Sequence, residues 1–114
     1  MRIRDSKRAL EKFEKAAVDH TLATAAGDSR KANAAADIIL EAYAYLKENE
    51  SLQLLVSLLD HPSEGVRVWT ASKLIAVRQS EAVKVLEEIA GGNGISALGA
   101  GMVLSEWRAG RLTL

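Results

Sequence analysis

The side chains that could act as acids, bases or nucleophiles do not form a catalytic pattern in this sequence. The two histidines, His20 and His61, have no second histidine or carboxylate pair beside them at metal-ligand spacing. His61 precedes Pro62, which predicts a turn rather than a general base. Asp37 and Glu41 lie one helical turn apart, and with no nucleophile, metal set or phosphate loop nearby they indicate the solvated face of a helix. We therefore expect a protein that is not an enzyme and that holds no metal and no cofactor.

The composition excludes further kinds of chemistry. None of the 114 residues is cysteine, which excludes disulfides, thiolate metal sites and cysteine nucleophiles. Fifteen basic and fifteen acidic residues give zero formal net charge, which disfavours nucleic acid and anionic membranes as partners. The longest uncharged stretch, residues 89–105, is too short to span a membrane. No apolar segment follows the basic N-terminal residues, so we do not expect a secretory signal. We expect a cytoplasmic protein with one domain, residues 1–114, and flexible ends at about 1–5 and 110–114.

The elements that position these residues all have a helical period. Apolar residues recur at steps of three or four, and no segment alternates with a period of two, so the sequence predicts an all-α fold. Turn signals at Gly27, at residues 60–62 and at the glycine-rich residues 91–94, together with the polar residues 47–50 and the cap Ser80, divide the chain into six helices. Left-handed backbone is expected at residues 91–94. The predicted helices begin at Asp5 or Ser6, after Asp28 and Ser29, at Glu50 or Ser51, at Ser63, at Ser80 and at Ile95.

One pattern recurs about every 30 residues, which is typical of a stacked helical-repeat array. The spacing Arg67-x-x-x-Ala71-x-x-Leu74 repeats upstream as Lys31-x-x-x-Ala35-x-x-Ile38 and downstream as Ser96-x-x-x-Ala100-x-x-Val103. Small residues would let stacked helices approach closely, and the pattern assigns this packing role to Gly99 and Gly101. The same spacing predicts that Ile38 is buried in the core.

The turn between the third and fourth predicted helices resembles the core of a HEAT repeat. Residues 58–62 read Leu-Leu-Asp-His-Pro, and Val66-Arg67 follows at the start of the next helix. Together with residues 27–33, 85–90 and 106–110, this turn is similar to a small bacterial family known only as a domain of unknown function, over roughly residues 10–112. The resemblance implies a HEAT-like α-α superhelix, a short right-handed solenoid of about three antiparallel helix pairs, with no catalytic residues.

In a HEAT-like array the second helix of each pair lines the concave face, and the tyrosines and tryptophans of this chain fall on those helices. Aromatic and arginine side chains are typical of protein-binding hot spots, although core packing would explain the aromatic residues equally well. Asp60 and Arg67 flank the turn and are predicted to form a structural pair across it. The residues predicted to bind a partner are Asn33, Asp37, Tyr43, Arg67, Trp69, Lys73 and Trp107.

The favoured function is therefore a protein-interaction module that binds an unknown protein or peptide through its concave face. A narrower version is an immunity or antidote protein that masks a toxin. The alternative is a nucleic-acid-binding protein whose basic residues contact phosphates, although acidic residues occur in the same regions. Exposed terminal helices and the apolar tail 112–114 also allow a homodimer. The basic residues of the alternative are Arg2, Arg4, Lys7, Arg8, Arg30, Lys31, Arg67 and Lys73.

Overall fold

A computed structural model describes residues 5–113 of this chain, and over that range it contains helices and no strand. The prediction of an all-α fold is confirmed. The contacts group the chain into two compact units, an N-terminal unit, Met1–Ser57, and a C-terminal unit, Leu58–Leu114. Arg2, Arg4 and Leu114 lie outside the described residues. The elements are α1 Ser6–Ala25, α2 Ser29–Glu48, a 3-10 helix Leu52–Asp60, α3 Glu64–Leu74, α4 Gln79–Ala90 and α5 Ala97–Arg108.

The N-terminal unit is built on two helices of 20 residues each, α1 and α2, which a short turn makes antiparallel. The Asp5 carboxylate accepts a hydrogen bond from the Arg8 N–H at 2.7 Å and caps α1. Gly27 ends α1 in the left-handed region, with φ +71°. The Asp28 carboxylate then accepts the Lys31 N–H at 3.0 Å and caps α2. These predicted helix boundaries are confirmed to within a residue.

The core of the N-terminal unit lies along one side of each long helix. Phe13 of α1 and Ile39 and Leu46 of α2 are fully buried, as is Leu55 of the 3-10 helix. The prediction that Ile38 is buried is wrong, because 44% of its surface is exposed. Neighbouring residues of a helix point about 100° apart, so Ile38 lies at the edge of the face that carries Ile39.

The C-terminal unit contains α3, α4 and α5, and α3 is its most enclosed helix. The Ser63 hydroxyl caps α3 by accepting the Val66 N–H at 3.4 Å, as predicted. His61 Nδ1 accepts the Ser63 N–H at 3.0 Å, which confirms that His61 belongs to a turn. Thr70 is fully buried, and its hydroxyl donates to the Val66 carbonyl at 2.7 Å. Every residue from Glu64 to Leu74 is buried or half-buried.

Two predicted helix starts in the C-terminal unit are wrong. Helix α4 begins at Gln79 rather than after Ser80, because the Arg78 N–H bonds to the Leu74 carbonyl at 2.7 Å and turns the chain at once. Helix α5 begins at Ala97 rather than at Ile95.

The glycine-rich turn at residues 91–94 also differs from its prediction. Over the described residues, Gly27 and Gly110 are the glycines with positive φ, so the turn contains no left-handed glycine. Gly91 instead has φ −79°, and its N–H donates to the Glu87 carbonyl at 3.0 Å. Helical hydrogen bonding therefore continues into the turn.

No helix in the part of the chain that is described, residues 5–113, combines the length and the apolar character that crossing a membrane requires.

Candidate functional site

The predicted partner-binding residues of α2 lie on different sides of the helix. Asn33 and Asp37 are one turn apart and exposed. Tyr43 lies about 120° around the helix from Asp37. It is only 8% exposed, and the Lys47 ammonium lies 5.9 Å from the centre of its ring. Burial raises the pKa of Tyr43 above its ordinary value of 10.0. Tyr43 therefore belongs to the core, whereas Asn33 and Asp37 are exposed.

The predicted partner-binding residues of α3 also lie on different sides of their helix. Trp69 and Lys73 are four residues apart and share a side of the helix. Arg67 is two residues from Trp69 and points to the opposite side, so the helix does not bring all three together. Trp107, on α5, is half-buried. That these residues form one concave face stays a prediction.

The predicted pair of Asp60 and Arg67 is wrong. Within residues 5–113 the two side chains form no ion pair and no hydrogen bond with each other. Asp60 ends the 3-10 helix and is exposed, whereas the Nε atom of Arg67 is buried and has no hydrogen-bond partner. The turn is instead held by the His61 imidazole and the Ser63 hydroxyl.

The basic residues of the nucleic-acid alternative do not form one patch in the N-terminal unit. Lys7 and Arg8 lie at the start of α1, and Arg30 and Lys31 lie at the start of α2. Because the helices are antiparallel and rise about 1.5 Å per residue, the two pairs lie about 30 Å apart. Phosphate contacts by both pairs would require a long nucleic-acid strand along the hairpin.

A groove that the sequence analysis missed opens between the end of α1 and the start of α2. We call it the α1–α2 groove, and its volume is about 430 Å³. Leu22 and Ile38 are large apolar residues of its lining, and they are 64% and 44% exposed. The lining residues are Asp19, Leu22, Ala23, Ala26, Asp28, Lys31, Ala34, Ala35 and Ile38.

Small side chains create this groove. The residues that the helical period places on one face of α1, its apolar stripe, are Leu10, Phe13, Ala17, Thr21 and Thr24, so the stripe ends in two threonines. The Thr21 hydroxyl donates to the Ala17 carbonyl at 2.9 Å. Ala23 and Ala35, the buried lining residues, are too short to fill the space between the helices. Two features of the sequence indicated this groove: the apolar stripe of α1 ends in threonines, and Leu22 does not belong to that stripe.

The charged groups beside the groove differ in what they already bind. The Asp19 carboxylate pairs with the Lys15 ammonium at 3.0 Å. The Asp28 carboxylate is engaged as the cap of α2. Within residues 5–113, the ammonium of Lys31 and the guanidinium of Arg30 form no ion pair and no hydrogen bond. The start of α2 therefore presents cations to a partner.

No group of three or more histidine, aspartate or glutamate residues within the described chain is arranged to hold a metal ion.

Comparisons with known proteins establish the fold alone. The chain matches no protein-family model and no curated protein. It is similar to the crystal structure of the protein RPA1889 from Rhodopseudomonas palustris, with a TM-score of 0.87 and 24% sequence identity. The match covers 96% of this chain and 93% of that one. The resemblance to a bacterial family of unknown function stays a prediction.

Proposed function

We propose that this chain is a protein-interaction module and that its α1–α2 groove receives an apolar segment of a partner protein. The observation that carries the proposal is the groove itself, where Leu22 and Ile38 expose large apolar surface. Burying such surface is the main source of favourable free energy in protein association.

The shape of the groove favours a macromolecule over a small molecule. Sites for small ligands bury most of the ligand surface. Most residues that line this groove are themselves exposed, including Ala26, Lys31 and Ala34, so a small ligand would remain largely in water. A helix or peptide from a larger protein would cover the groove and its rim together.

The charges define the chemistry of that segment. Of the charged residues that line the groove, Asp19 and Asp28 already have partners, so the lining charge left for recognition is that of Lys31, which follows Arg30; the exposed Asp37 lies outside the lining. A complementary segment has apolar anchors for Leu22 and Ile38 and an aspartate or glutamate near Lys31. We therefore propose an amphipathic acidic segment, most simply a helix with anchors at i and i+4. Asn33 and Asp37 extend the polar surface of α2 next to the groove.

The test is a selection from a displayed library of helical peptides, using the wild-type chain. We expect enriched peptides with large apolar residues three or four positions apart and an acidic residue beside them. Leu22→Asp and Ile38→Asp should each weaken binding at least about tenfold, because a charge replaces an apolar contact. Val77→Asp, an exposed apolar position in the C-terminal unit, is the matched control and should leave binding unchanged.

A charge reversal tests the chemistry of the partner. Lys31→Glu should shift the selected peptides from acidic to basic residues while the apolar spacing is retained. Enriched peptides that bind Leu22→Asp and Ile38→Asp as well as they bind the wild-type chain would contradict the proposal, and so would a library without enriched peptides. Circular dichroism of each variant confirms that the helices are retained.

A narrower proposal is that the natural partner is a toxin that this chain masks. The small size and balanced charge of the chain are compatible with it. The test is whether the natural protein that displaces the selected peptides is toxic when it is expressed alone. A harmless competitor would leave the interaction module without the antidote role.

A further inference from the structure

Helix α5 has an exposed apolar side that is separate from the α1–α2 groove. Leu98 and Met102 are 76% and 61% exposed, and their spacing of four residues places them on the same side of the helix. Ile95, just before the helix, is also exposed. Ala100 and Leu104 occupy the other side and are buried in the C-terminal unit. We call the surface formed by Ile95, Leu98 and Met102 the α5 face.

The charges of α5 are already neutralised within the chain. The Arg108 guanidinium pairs with the Glu87 carboxylate at 3.0 Å, and the Glu106 carboxylate pairs with the Arg111 guanidinium at 3.1 Å. Residues 89–105 contain no charged side chain at all. A partner that covers the α5 face would therefore gain no ion pair with α5 and would need to be uncharged there itself.

Two glycines in α5 are unexplained by packing within the chain. Glycine inside a helix costs about 1 kcal/mol relative to alanine. A Cβ atom added to Gly99 or Gly101 would lie within 4 Å of no other residue, so the prediction that they serve close packing inside the chain is wrong. Being two residues apart, they point to opposite sides of α5 and lie at the two edges of the side that carries Leu98 and Met102.

We propose that the α5 faces of two copies of this chain pair across a twofold axis. A twofold interface places the same surface on both partners, so an uncharged apolar face meets an uncharged apolar face. Leu98 and Met102 of one copy pack against the same residues of the other, with Gly99 and Gly101 at the two edges of the contact. The surface used is distinct from the α1–α2 groove, and the inference does not depend on the function proposed for that groove.

The test measures mass in solution by sedimentation from micromolar to millimolar protein. We expect a concentration-dependent dimer of the wild-type chain. Leu98→Glu and Met102→Glu should each weaken the dimer at least about tenfold, because the symmetry places two like charges in one apolar interface. The matched control, Val77→Glu, adds the same charge in the turn between α3 and α4 and should retain the dimer. Leu22→Asp should also retain it.

A mixture of two variants tests the symmetry directly. Chains with Leu98→Glu and chains with Leu98→Lys should each be monomeric alone and should dimerise when mixed, because opposite charges then meet across the axis. The proposal is overturned by a wild-type chain that stays monomeric at millimolar concentration. It is also overturned by dimers that tolerate both glutamate variants, or by a mixture that stays monomeric.

Discussion

The α1–α2 groove and the α5 face both expose large apolar side chains, but they differ in the charges beside them. Lys31 lines the groove near Leu22 and Ile38, and within residues 5–113 neither its ammonium nor the guanidinium of the preceding Arg30 has a partner. The charged residues of α5 are paired within the chain. Exposed apolar area indicates that a surface is covered by a partner, and the neighbouring charges indicate the chemistry of that partner. This comparison favours an acidic segment for the groove and a second, uncharged α5 face for α5.

The largest expected effect is on the free energy of unfolding, and it distinguishes buried apolar residues, which stabilise the fold, from exposed ones, which do not. Phe13 is fully buried, so Phe13→Ala should lower the free energy of unfolding by about 3 to 5 kcal/mol. Leu22→Ala removes a similar apolar group from the groove and should change that free energy by no more than about 0.5 kcal/mol. Urea denaturation followed by circular dichroism measures both values.

The same contrast should hold in the C-terminal unit. Leu86 is fully buried, and Leu86→Ala should cost about 2 to 5 kcal/mol. Leu98→Ala, measured at a concentration where the chain is monomeric, should be nearly neutral. A loss of several kcal/mol at Leu22 or Leu98 would mean that these residues pack inside the folded chain, and the comparison between the two surfaces would fail.

The sequence predicted local features better than it predicted which surface each helix buries. Asp28 and Ser63 cap their helices as expected, because a cap needs only a side-chain oxygen two or three residues before an N–H group. Whether Ile38 is buried depends on how large the facing residues of α1 are, and these are alanines and threonines near its end. The groove is therefore a property of two helices together, and neither stripe alone predicts it.

Glycines illustrate the same limit. Gly27 is the glycine whose predicted role in ending a helix is confirmed by positive φ, whereas the glycine-rich turn at residues 91–94 needs none. Glu50, which is not a glycine, has φ 53° at the end of α2, where the Ser51 N–H bonds to the Leu46 carbonyl at 2.8 Å. Composition marks a turn, but the backbone hydrogen bonds of the folded chain decide which residue becomes left-handed.

The next effect in size compares one glycine beside the groove with one beside the α5 face. Gly27→Ala should destabilise the fold by about 1 to 2 kcal/mol, because alanine disfavours the left-handed backbone at φ +71°. Gly101→Ala should instead stabilise the fold by about 0.5 to 1 kcal/mol, because its Cβ meets no other residue and alanine favours a helix. Thermal and urea denaturation measure both changes.

Two controls isolate these effects. Gly27→Asn should cost less than Gly27→Ala, since asparagine tolerates the left-handed region better. Gly101→Ala is measured in the Leu98→Glu background, so that self-association does not contribute to stability. Destabilisation by Gly101→Ala in the monomer would show that Gly101 serves packing inside the chain.

The smallest expected effect is a pH dependence at His20, which follows Asp19 of the groove along α1. Burial lowers the pKa of His20 below its ordinary value of 6.5. As the pH falls through 6.5, the unfolded chain takes up a proton on His20 more readily than the folded chain does, so the folded state loses stability until the pH is below the folded pKa.

His20→Gln removes the titrating imidazole. It should therefore flatten part of the decrease in unfolding free energy between about pH 8 and pH 5. Urea denaturation of both proteins across this range measures the difference, and its slope with pH, rather than the absolute stability, is the quantity compared. Equal slopes would show that His20 is as solvated in the folded chain as in the unfolded one.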